Sequence, residues 1–174
     1  MKKSVDFSYE VTPLTMALLS KTNDEGLVQT VVLEESQHYF VSPPPTKVMD
    51  KACEYYGQSL QGLQKGTKNV SNITHKAPIA IDSRSGMYFF PTASPSKKTC
   101  SWLSHTHITN IFPIHNGSGT EVIFNNEHRI AVNISFGSIQ NQMHRTAQFR
   151  FYLDNRIQRI KDAVILKETT RIEL

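Results

Sequence analysis

The sequence predicts an α+β fold in which antiparallel strands accompany an amphipathic helix near residues 46–56 and a long helix near 136–164. Three observations lead there. Short apolar runs, alternating or β-branched, recur between turn-forming residues, the pattern of strands. Two longer segments repeat apolar residues every three to four positions, the pattern of a helix face. The 174 residues, 39% hydrophobic and 20% charged, suffice for a sizeable core and are too apolar for disorder, so a single domain over 1–174 is expected.

Val5, Phe7, Tyr9 and Val11 alternate with polar residues as a half-buried strand does, and the turn-like Asn23-Asp24-Glu25-Gly26 precedes a β-branched run over 28–33. A small antiparallel meander follows, ended by Pro43-Pro44-Pro45. Thr46 is placed to cap a helix whose one face carries Val48, Met49, Ala52, Cys53 and Tyr56 and whose other carries Lys47, Asp50, Lys51 and Glu54. Gly57 closes it. From 57 to 76 glycines punctuate a polar stretch, read as loop or short helix. Apolar runs at 78–81, 87–90 and 107–111 read as strands, and 122–124 with 130–132 flank Asn125-Asn126-Glu127 as a hairpin. Ser135 or Ser138 then caps the long helix, with Ile139, Met143, Thr146, Leu153, Ile157, Ile160 and Val164 on one face and Arg145, Gln148, Tyr152, Arg156 and Arg159 on the other. Arg150 falls on the apolar face, which predicts a kink there or an interface that pairs its charge.

Several function classes find no support. Asp6, Tyr9, Glu10 and Pro13 interrupt any leader-like apolar segment and no later run could span a bilayer, so a cytoplasmic protein without a membrane partner is expected. Cys53 and Cys100 read as a reduced pair, and the Asn-x-Ser/Thr triplets at 72, 116 and 133 are discounted for an unexported chain. Gly57-Gln58-Ser59-Leu60-Gln61-Gly62 is one residue too long for a nucleophile elbow, and Leu63-Gln64 stand where a phosphate loop needs Lys and Ser or Thr. His105 and His107, one strand period apart, could join His75, His115 or Cys100 at a zinc ion, but no Cys-x-x-Cys or His-Glu-x-x-His is present. The expectation is no enzyme, no metal and no cofactor.

Charge is segregated along the chain. Residues 1–43 hold three basic and six acidic groups, 44–98 eight and three, 99–143 one and two, and 144–174 seven and four. Lys65, Lys68, Lys76, Arg84, Lys97 and Lys98 share the 65–98 stretch with one acid, Asp82. Such a run can neutralise several phosphates, and a solvated surface is the plain alternative.

A motif series threads through this stretch: Gly57-x-Ser59, Gly62, Gly66-Thr67, Ile73-Thr74-His75-Lys76-Ala77-Pro78-Ile79, Phe89-Phe90-Pro91-Thr92, Cys100-x-Trp102-x-Ser104-His105-x-His107, Asn141-Gln142 and Arg145-Thr146-Ala147. In order and spacing over about 48–150 it resembles the bacterial competence transcription factor family ComK. The resemblance implies a transcription activator on double-stranded DNA that binds paired A+T-rich boxes largely from the minor groove. It further implies dimers that pair into tetramers, RNA polymerase as partner at promoters, association with the nucleoid, and control of DNA-uptake genes together with its own. Two departures stand out. Relatives carry an Arg-Lys pair after the glycine matching Gly62, whereas here Leu63-Gln64 precede a single Lys65, so that contact is expected to be weaker or shifted by a residue. They can also carry an aromatic-aliphatic-proline signal for a proteolysis adaptor, to which 163–168 offers no clear match.

On this reading Lys65, Lys68, Lys76, Lys97 and Lys98 position phosphates, with His75 and Arg84 beside them. Arg145, Gln148 and Arg156 form a second contact, and Asn141 or Gln142 supplies polar readout. A rival within DNA binding lays the 138–160 helix in the major groove. Outside it stand a module that binds an acidic regulatory partner through the Arg145–Arg159 stripe and, with less support, a hydrolase or metal enzyme.

Overall fold

The computed structural model describes residues 9–172. In chain order it contains β1 (Thr15–Thr22), β2 (Val28–Glu34), β3 (His38–Val41), α1 (Pro45–Tyr55), α2 (Leu60–Ser71), β4 (Ile79–Asp82), β5 (Met87–Pro91), β6 (Trp102–Ser104), β7 (Ile108–Pro113), β8 (Thr120–Phe124), β9 (Arg129–Val132) and α3 (Phe136–Ile172). Strands β3-β2-β1-β6-β5-β4 form a six-stranded antiparallel sheet, and β7-β8-β9 form a second antiparallel sheet. The α+β architecture and the long C-terminal helix are therefore present.

The larger sheet is the middle layer, covered on both faces. Along β1, β2, β5 and β6, neighbouring residues feed opposite cores: Val32, Phe89 and Trp102 pack with α1 and Leu60 of α2, while Leu33, Phe90 and Leu103 pack with the second sheet and Ile139 of α3. Burial on both sides is why these strands read as continuous apolar runs. Trp102, Phe89 and Phe90 are almost fully enclosed. Each such side chain contributes about 1.5–3 kcal/mol of burial free energy.

Several sequence expectations need correction. Val5 and Phe7 lie outside the described residues, while Tyr9 and Val11 precede β1 without joining a sheet. The strand that pairs with β2 around the 23–26 turn is instead β1, whose Thr15 to Thr22 had shown no period-two pattern because Met16, Ala17 and Leu18 are all buried. β6 was also missed; it has three residues and pairs with β1 on one side and β5 on the other. Pro44, not Thr46, is the N-cap of α1; Thr46 lies inside the helix, where its Oγ1 accepts a 3.1 Å hydrogen bond from the Trp102 indole N–H. His105–His107 form a 3-10 turn rather than a strand. α3 is not interrupted at Arg150; it continues as helix for 37 residues.

Candidate nucleic-acid interface

α2 forms although Gly62 and Gly66 each cost a helix about 1 kcal/mol relative to Ala. Ser59 offsets part of this as N-cap: its hydroxyl accepts the Gly62 N–H at 3.0 Å. Asn72 ends the helix in a left-handed conformation, with φ of 59°. The inward side is pinned by Leu60 and by Thr67, whose hydroxyl donates to the Pro78 carbonyl at 2.6 Å. Lys65 and Lys68 thus stand on a helix, and at its spacing they share an exposed face with Gln61 and, toward its edge, Gln64.

Lys76, in the α2–β4 connection, adopts a positive φ of 47°. This connection is held from below by Gln142 of α3. Gln142 is 3% exposed; its amide N–H2 donates to the Lys76 carbonyl at 2.9 Å and to the Pro91 carbonyl at 2.7 Å, and its Oε1 accepts from Arg145 at 2.9 Å. Every one of these bonds satisfies a group that would be costly to bury alone. Arg145 also donates to the His75 carbonyl, and burial draws its pKa below the ordinary arginine value. Gln142 therefore shapes the surface from within, while Asn141, His75 and Lys76 are exposed above it.

Lys97 and Lys98, in the β5–β6 connection, border a groove of about 510 Å³ that α1 and α2 complete. Lys47, Asp50, Gln61 and Gln64 line it with them. The sequence pattern placed Lys47 and Asp50 only on the polar face of the first helix, and it missed Gln61 and Gln64 because the glycines of 57–66 hid the helical spacing that aligns them with Lys65 and Lys68. Arg84 lies elsewhere, in the β4–β5 turn beside Asp82, on a second groove with Gly66, Phe149 and Ile157. Among the described residues none of Lys65, Lys68, Lys76, Lys97 and Lys98 is in an ion pair.

The arginines of α3 are more committed. Arg156 donates to the Asn69 side chain at 2.9 Å and to its carbonyl at 3.2 Å, tying α3 to α2. Arg150 lays its guanidinium 4.5 Å above the Tyr88 ring and donates to His105 Nδ1 at 3.2 Å and Thr106 Oγ1 at 3.1 Å. Its charge is thus paired with a π face and neutral acceptors instead of a carboxylate. Gln148 remains exposed, on a third groove with Tyr152, Asn155 and Arg159.

The histidines do not assemble as metal ligands. His107 Nδ1 lies 2.7 Å from Ser104 Oγ and its Nε2 3.7 Å from Glu35, with Ser104 1% and His107 6% exposed, a buried polar link. Among the described residues no group of three or more His, Cys, Asp or Glu could hold a metal ion, and no helix is long and apolar enough to cross a membrane. Cys53 and Cys100 are free and buried.

A family model described as ComK protein matches residues 7–158. The competence transcription factor of Bacillus subtilis (strain 168) is 31% identical to this chain over 171 residues, covering 96% of this chain and 88% of that protein. No solved structure matches.

Proposed function

This chain belongs to the ComK protein family, and from that premise we propose that it is a sequence-specific DNA-binding activator of competence genes. It recognises paired A+T-rich boxes mainly through the minor groove and acts on its own gene as well. The observation that carries the reading is the set of five exposed lysines, Lys65, Lys68, Lys76, Lys97 and Lys98, left without ion pairs on three neighbouring segments. An unpaired cation gives up little when it meets a phosphate, whereas a paired one must first lose its partner. A+T-rich tracts narrow the minor groove and deepen its negative potential, which suits a short two-lysine loop such as the one bearing Lys97 and Lys98.

Reading by α3 from the major groove is less favoured, because Arg145, Arg150 and Arg156 are already engaged within the molecule. Arg159 and Gln148 are the exposed members left for a flanking contact, with Arg84 on the far side of α2. The protein works as a homo-oligomer, a dimer or a pair of dimers, and meets RNA polymerase at promoters. Its place of action is the cytoplasm, on the nucleoid.

Binding to A+T-rich and G+C-rich duplexes at several salt concentrations, with a minor-groove ligand as competitor, tests this. The A+T-rich duplex should bind tighter and the ligand should displace the protein. Lys76→Ala should reduce the slope of log affinity against log salt by about 0.9, the value of one phosphate contact. Equal affinity for both duplexes would reduce the protein to a non-specific polycation.

A further inference from the structure

We infer that the groove between α1, α2 and the 94–98 loop seats one sugar-phosphate strand of the duplex, with Lys47, Gln61 and Gln64 as contact residues. The inference rests on the DNA-binding reading and names a seat within it. The lining is mostly apolar and includes Leu60, Pro44 and Pro95, and the exposed Lys47, Lys97 and Lys98 line it as well. A deoxyribose-phosphate strand has the matching make-up, apolar sugar edges alternating with single negative charges.

Each wall contributes differently. α1 presents Lys47, a cation outside the 65–98 stretch that also has no ion pair among the described residues. α2 presents Gln61 and Gln64 one turn apart, whose amides can donate to phosphate oxygens without adding charge. The same helix carries Lys65 and Lys68 beyond the groove, so the cationic path continues further than one isolated anion would need. That continuity favours a polyanionic strand. Asp50 is the one acid on the lining among the described residues, and a carboxylate beside a phosphate strand weakens binding.

Four variants of the full chain, Lys47→Ala, Asp50→Asn, Gln61→Ala/Gln64→Ala and Lys97→Ala/Lys98→Ala, titrated with an A+T-rich duplex across salt, decide the matter. Lys47→Ala should cut the salt slope by about 0.9, so the affinity lost on a fourfold rise in salt shrinks about threefold. The double glutamine variant should weaken binding at all salts with an unchanged slope. Asp50→Asn should bind several-fold tighter, most clearly at low salt, a gain that a misfolded protein cannot produce. If Lys47→Ala and Asp50→Asn both match the parent while Lys97→Ala/Lys98→Ala loses slope, the groove is not the seat although the DNA reading stands. If the lysine pair also leaves the slope intact, and both duplex types bind equally, the DNA reading itself fails.

Discussion

At the scale of single residues, burial decides what each polar side chain can do. Asn141 and Gln142 are adjacent, yet a helix turns about 100° per residue, which exposes the first and buries the second under two carbonyls. Helical spacing with Ile139 and Thr146 puts Gln142 on the buried face and Asn141 off it; the two carbonyls that Gln142 binds come from distant segments and were not legible. Arg150 was legible, because a cation on an apolar stripe signals a specific partner; which partner was not, since Tyr88 of β5 and His105 of the 3-10 turn lie far from it in the chain. The contact has a pH signature. Burial first, and Arg150 second, lower the His105 pKa from 6.5 to about 4, and a guanidinium that can only donate holds Nδ1 as an acceptor. The folded ring stays neutral where the unfolded one takes up a proton, so this stability is present above pH 6.5 and is lost as pH falls from 6.5 toward 4. Burial moves His107 in the same direction. Denaturant midpoints measured across that window should fall for the parent and fall less for His105→Gln; parallel curves would remove His105 from the account.

At the scale of elements, α2 shows how composition can conceal a helix. Its two glycines imitate loop, but they differ in surroundings. A Cβ at Gly66 would meet nothing within 4 Å, whereas one at Gly62 would lie 2.8 Å from Ser59 Oγ, the capping oxygen. Gly66→Ala should therefore stabilise the protein by about 0.5–1 kcal/mol. Gly62→Ala gains the same propensity but displaces a cap worth about 0.5–2 kcal/mol, so it should come out near neutral or unfavourable. Thermal or denaturant unfolding of the two variants checks the difference in sign. The legible elements were those with a clear helical period or an apolar run between turns: α1, α3, β2, β4, β5, most of β7 and the β8–β9 hairpin. β6 was too short for a pattern, and β1, buried on both faces at its start, showed no alternation. Half of the candidate surface was visible as a charge run; the contribution of α1 appeared only when folding brought Lys47 beside Lys97 and Lys98.

At the scale of the whole molecule, the outer half of α3 stands apart from the rest. Its 37 residues span about 55 Å, and residues 158–171 are exposed throughout, including Ile160, Val164, Ile165 and Leu166. Exposed apolar residues of this kind stabilise a monomer little and suit contact with another chain. Ending the chain after Ile157 should leave the melting temperature almost unchanged and lower any assembled mass in sedimentation; a steep loss of stability with the mass unchanged would show these residues to serve the monomer instead. The strand order of the larger sheet has a kinetic consequence. It places β1–β3, whose described segment 9–43 carries one lysine and five acids, toward one edge, and β4 with its neighbour α2 toward the other. Six strands about 4.8 Å apart separate these edges by roughly 24 Å. The acidic β1–β3 edge thus lies away from Lys65 and Lys68 of α2, and in the field of a polyanion the molecule turns the α2 side forward before contact. Salt should then slow the encounter more than it hastens escape.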